Sequence, residues 1–333
     1  MISDKNADTM KWLLRREFWE HKGAMFWAPV IVGALLVVLM GCTVTYGILT
    51  HGIPAHVSIN GQTLDHARLD AVLPAETKMM AANIATGMYL GASAPLFAIL
   101  TGVVFFYCLG ALYDERRDRS ILFWKSLPLS DPMTVLSKAV TAMVVAPAIT
   151  IVLAVAASLA LLFIACAALS TQGLNLFSAL LSSSDLYLSP LRLAALLPVY
   201  VVWALPTVGW LLLVSSWAKS KPVMWAVGVP VVTLVAIKWI NAALENFSGQ
   251  TLLLAHYASD VVARILGGIV PGIWFAFPGV TAAIHQNGHG IDMSNVVTQS
   301  YMSLAGPDSW IGVAMGVAML YAAVRMRRWR DEG

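Results

Sequence analysis

The sequence predicts an all-α membrane protein with six transmembrane helices, built as a single domain over residues 1–333. Two observations carry that prediction. Hydrophobic residues make up 59% of the chain and charged residues only 12%, with a mean hydropathy of +0.74, whereas a soluble domain carries about 25% charge. The apolar residues also fall in continuous runs near the roughly 20 residues that a helix needs to cross a hydrocarbon core of about 30 Å. A β-barrel strand would alternate instead.

The first 26 residues are mixed-charge and aromatic, unlike a cleavable signal peptide. Within them, 9–22 predicts a membrane-surface helix. Met10, Leu13, Leu14 and Phe18 share a face that Glu17 interrupts, with Trp12 and Trp19 opposite. The expected spans are 27–49, 88–112, 139–168, 193–217, 222–240 and 309–325. The last is short and is expected to rely on Arg325 and Arg327 snorkelling outward. The connecting segments 50–87 and 169–191 read as small outer loops with no nameable chemistry.

Lysine and arginine orient the bundle, because they collect on the cytoplasmic side. Residues Lys5 to Lys22, the 113–138 loop, Lys219, Lys221 and the tail from Arg325 hold sixteen of the 21 basic residues. Both termini are therefore expected to be cytoplasmic. The apolar stretch 265–284, within the outer segment 241–308, contains Gly267, Gly268, Pro271, Gly272, Pro278 and Gly279. These break a helix repeatedly, so a re-entrant hairpin dipping in from the outer face is expected rather than a seventh crossing.

Several function classes find no support. The interiors of the six runs hold no ionisable residue, where ion-coupled transporters and voltage sensors place theirs. No zinc-protease, serine-hydrolase or phosphate-loop motif occurs, so no catalysis is expected of this chain. Cys42, Cys108 and Cys166 fall inside spans and read as packing residues. Six of the seven histidines are assigned outside, and His285 and His289 are separated by the turn-forming Asn287-Gly288. No metal site is expected. The net charge of +3 reflects topology and indicates no nucleic acid.

The most informative segment is 113–131. Asp114 to Arg119 reads as a polar helix projecting from the second span. Ile121, Leu122, Phe123 and Trp124 then follow consecutively, and no single helical face can bury them all against the parent bundle. Leu127-Pro128 makes a turn, and Ser130-Asp131-Pro132 reads as a capped helix start. On composition alone, the segment is either a docking surface for a partner or an interfacial helix.

In this loop the chain resembles permeases of the ABC type-2 transporter family. Such permeases carry an acidic residue, a basic cluster, an apolar segment and a Leu-Pro-Leu-Ser-like turn between their second and third spans. Glu115, Arg116, Arg117, Asp118, Ile121, Leu122, Leu127, Pro128, Leu129 and Ser130 stand in those places, and Phe123 and Trp124 extend the apolar block. Arg119-Ser120 stands where a Gly-Thr pair is usual. The resemblance implies that 113–131 is a coupling region docked on a separate ATPase subunit, with ATP and magnesium held there and no cofactor in this chain. It further implies a second permease chain as partner, 9–22 as a connecting helix, and a place in the cytoplasmic (inner) membrane. The expected cargo is apolar or amphipathic and moves outward. Trp274, Phe275 and Phe277 are expected to form either an outer gate or part of an interfacial aromatic belt. A non-transporting anchor, immunity or sensor protein that holds a cytoplasmic partner through the same loop is the alternative.

Overall fold

The computed structural model describes residues 2–51, 57–59, 62–64, 74–118, 130–248, 253–277 and 293–329. Among the described residues, six helices are long and apolar enough to cross a membrane: Gly23–Thr50, Ala75–Arg117, Asp131–Thr171, Ser184–Trp217, Pro222–Phe247 and Pro307–Trp329. We number them spans one to six. In lipid every backbone polar group must be paired within the segment, which favours helices throughout such runs. Each contains an expected run but extends beyond it. Spans two and three cover 43 and 41 residues, about 60 Å at 1.5 Å per residue, so both project well past a bilayer core.

Helix α1, Ile2–Glu20, precedes span one. A two-stranded antiparallel hairpin, β1 Val57–Ile59 with β2 Gln62–Leu64, follows it, pairing Val57 with Leu64 and Ile59 with Gln62. Apart from this short hairpin the described elements are helical. The segments read as outer loops also hold helices: α2, Ala75–Met88, leads into span two, α3 is Phe177–Ser182, and α4, Ser184–Ala195, leads into span four. After span five come α5, Leu253–Gly267, a short 3-10 turn Ile273–Ala276, and α6, Met293–Met302.

Proline positions explain where spans change pitch. A proline lacks the N–H that would bond the carbonyl four residues earlier. Pro95 follows the 3-10 turn Tyr89–Ser93, and Pro147 follows the π turn Thr141–Val145. Pro198 opens a helical stretch after Leu196. Of Pro95, Pro147, Pro198, Pro206 and Pro230, only Pro206 and Pro230 lie inside a regular helix.

Span four is the centre of the bundle. Val199, Tyr200, Trp203, Ala204, Val208, Leu211 and Leu212 are buried there against Leu100, Val104 and Cys108 of span two and Val135, Ala139 and Ala142 of span three. Spans four and six cross closely because both are small at the crossing. A Cβ on Gly209 would lie 2.7 Å from the carbonyl oxygen of Gly316, and one on Gly316 would lie 2.8 Å from the Leu205 backbone. Gly312 and Gly316 stand four apart on one face of span six, the spacing that lets membrane helices approach backbone to backbone. Span five is the opposite case: Val232, Val235 and Trp239 are exposed along it, as suits a surface facing hydrocarbon.

Candidate functional site

The functional geometry gathers at the end of the bundle where α1, the last turns of spans two and six, and the first turns of span three meet. Four charged side chains from four different elements are buried together there. Lys138 is 1% exposed, Glu17 0%, Arg327 5% and Glu115 8%. Charges rarely enter protein interiors unless paired, and here the pairing is mutual. Lys138 Nζ donates to Glu17 Oε1 at 2.9 Å and lies 3.0 Å from Glu115 Oε1, an ion pair without hydrogen-bond alignment. Arg327 Nη1 donates to Glu115 Oε2 at 3.0 Å, and its Nε donates to Asp131 Oδ1 at 3.2 Å. Tyr107 Oη donates to Glu17 Oε2 at 2.9 Å. Arg16, 3.9 Å from Glu115, completes three cations around three carboxylates.

Each contributor is placed by its own helix. On α1, Leu13 and Glu17 are one turn apart and both are fully buried, while Trp12 and Trp19 are exposed on the far side. Glu17 is thus the polar member of an inward face. Burial alone would raise its carboxyl pKa, but the Lys138 charge and hydrogen bond, the Tyr107 hydrogen bond and the Arg16 charge outweigh it and hold it below its ordinary value.

The polar extension of span two is a distinct helical turn, Tyr113–Arg117, set off at Leu112. Ser215 of span four secures the joint. Its hydroxyl accepts from the N–H groups of Leu112 at 3.0 Å and Tyr113 at 2.9 Å, and donates to the Leu109 carbonyl at 2.7 Å. Arg116 adds bonds from Nη2 to the Ser215 and Ala218 carbonyls at 2.6 and 3.1 Å. The four described members of the expected coupling set therefore divide. Glu115 and Arg116 point into the bundle, whereas Arg117 and Asp118 face outward and pair with each other at 3.1 Å. Ile121, Leu122, Phe123, Trp124, Leu127 and Pro128 lie outside the described residues.

Three expectations are revised here. Lys138 is not a loop residue but a buried member of the first helical stretch of span three, Asp131–Val140. Arg327 does not snorkel outward, since Glu115 and Asp131 turn it inward; Arg325 instead lies over the Tyr321 and Trp329 rings. The third helix does begin at Asp131 with Pro132 in its first turn, but Ser130 makes no side-chain capping bond. Sequence reading found Glu17 and Glu115 and missed their partners. Charge balance was the available signal: a carboxylate on the inward face of α1 requires a cation on whatever covers it.

At the opposite end, the expected gate residues pack inward. Trp274 is buried and donates from Nε1 to Ser300 Oγ at 2.8 Å. The Phe277 ring lies 5.0 Å from that of Trp203, and the Arg264 guanidinium rests over both. Gly268 lies against the Trp203 carbonyl, where no side chain fits, and the Ile269 carbonyl accepts from Tyr200 Oη at 3.3 Å. Residues 278–284, the second half of the expected hairpin, lie outside the described residues, as do His285 and His289.

The oxygen and nitrogen ligand atoms of Glu17, Glu20 and His21 come within 4.8 Å of one another. Glu17 is taken by Lys138 and Tyr107, however, and Glu20 by Arg16 Nε at 2.7 Å. Both carboxylates of the set are thus already held by side-chain cations, which does not fit a metal.

Fold and site together define a helical protein with six potential membrane crossings, pinned at one end by a buried ion cluster. Comparison with family models, curated proteins and solved structures gives no match.

Proposed function

We propose that the chain is the membrane-spanning permease subunit of an ABC exporter, with both termini cytoplasmic, moving an apolar or amphipathic cargo outward. A separate ATPase subunit docks on the 113–131 loop of each of two permease chains. The observation that carries this reading is the double hold on the loop's first turn. Glu115 is ion-paired to spans three and six, and Arg116 is bonded to the end of span four. A push on the loop is thereby delivered to three spans at once. A tethering loop on a passive anchor needs no such hold.

The sequence motif supplies the partner's class and the ion cluster supplies a rigid lever. In this reading the segment from α5 to the 3-10 turn re-enters the outer side of the membrane and closes the path there. Expressing the chain with its candidate ATPase subunits tests the proposal. Copurification of one of them, lost when Leu122 and Phe123 are both changed to Asp, is the expected result. Retained association and transport in that variant, or labelling of a Trp124→Cys variant from outside intact cells, would sink it.

A further inference from the structure

We propose that a cleft beside the ion cluster binds a cationic amphiphile, with its ammonium head at Asp114 and its hydrocarbon tail along span two. The cleft holds about 520 Å³ and lies between the turn linking α1 to span one and the face of span two from Ile99 to Asp114. That size falls within the usual range of small-molecule sites, about 300–1,000 Å³. The sixteen residues from Ile99 to Asp114 span about 22 Å of helix, long enough for an alkyl chain.

Small residues make the cleft. A Cβ on Gly102 would meet nothing within 4 Å, so the space above it is open. At Gly110 the same position lies 2.7 Å from Asp114 Oδ2, so the carboxylate folds back over the cleft's end. Tyr107 backs the cleft, with the His21 ring edge-on to it at 4.8 Å, and Phe106 forms an exposed apolar wall.

The polar end is an acceptor end. His21 lines the cleft wall, with its Nδ1 3.2 Å from the Glu17 carbonyl oxygen, to which it donates. Asp114 offers a carboxylate. Its neighbour Arg117 is 3.5 Å from Oδ1, but both side chains are more than half exposed, and exposed pairs of this kind are weak. A carboxylate at the end of an apolar channel selects a donor-rich cation over a sulfate or a neutral alcohol.

As a binding site this stands on its own geometry; as the entry point for cargo it rests on the exporter reading. The test is equilibrium binding of dodecylammonium to the full chain in phosphatidylcholine nanodiscs, with dodecyl sulfate and dodecanol as comparisons. Dodecylammonium is expected to bind tightest, with Asp114→Asn weakening it about tenfold and leaving dodecanol unchanged. Gly102→Leu is expected to abolish binding, while Gly87→Leu, equally open but remote, keeps it and controls for folding. Equal binding of all three probes overturns the proposal, as does undiminished binding in Gly102→Leu. Loss of dodecylammonium binding when phosphatidylethanolamine replaces phosphatidylcholine in the nanodiscs also overturns it, in favour of a lipid site. ATPase association is measured on the same preparations. Ammonium binding without any ATPase association supports the site and removes the exporter reading, whereas ATPase association without ammonium binding removes the site alone.

Discussion

Lys138 is the residue on which the ion cluster turns, because it lies within 3.0 Å of both Glu17 and Glu115. Removing a single member of a buried ion pair leaves its partners charged in a medium that cannot solvate them, at a cost of about 3–5 kcal/mol. Lys138→Met should therefore lower the thermal unfolding midpoint sharply, and adding Glu17→Gln should recover part of the loss. Equal midpoints for wild type and Lys138→Met would show that the cluster contributes nothing. The depressed pKa of Glu17 fixes the direction of a pH effect. A carboxylate whose folded pKa is below the ordinary value of 4.5 contributes stability in full above that value and loses it as pH falls through the folded one. The stability gap between wild type and Glu17→Gln should be widest near neutrality and shrink as pH falls below 4.5 and through the lowered folded pKa, measured by unfolding at fixed salt. A gap that widens on acidification would contradict the assignment.

Between elements, the crossing of spans four and six depends on contact distance rather than polarity. Gly316 has the Leu205 backbone where a side chain would go, so Gly316→Leu must separate the two helices, at about 3 kcal/mol or more. Gly228 in span five has nothing within 4 Å, and Gly228→Leu should be neutral. Monodispersity and melting of the two purified variants make the comparison, and matching behaviour would refute the close crossing. This contrast also shows what a sequence holds. All six crossings are legible because a twenty-residue apolar run has few alternatives in lipid, and the polar turn after Leu112 is legible because Asp114 to Arg117 cannot continue into hydrocarbon. The Gly312–Gly316 spacing was readable as well, but not its partner, since which helix fills a small-residue face depends on tertiary packing. The inward turn of Arg327 was illegible for a related reason. An arginine near a helix end reads as snorkelling until an acidic partner is known to lie beside it, and Glu115 is more than two hundred residues away in sequence.

For the whole molecule, the arrangement separates gripping from transmission. Residues that face outward at the charged end, such as Arg117 and Asp118, are available to a partner, while Glu115 and Arg116 are committed to spans three, four and six. Substitutions in the two groups should fail differently if the chain is driven from this end. Loss of the apolar block Ile121, Leu122, Phe123 and Trp124 would remove the partner. Glu115→Gln would leave the docking surface in place but weaken the hold on Lys138 and Arg327, so that motion of the loop dissipates before it reaches the spans. In the reconstituted complex, ATPase association should change little and hydrolysis should continue, while transport falls by about tenfold, the scale on which single contacts modulate coupling between distant sites. Such a split, with hydrolysis retained and transport lost, follows from a lever and not from a simple tether. If Glu115→Gln instead reduced association and transport in equal proportion, Glu115 would belong to the docking surface, and the division between grip and transmission would be wrong.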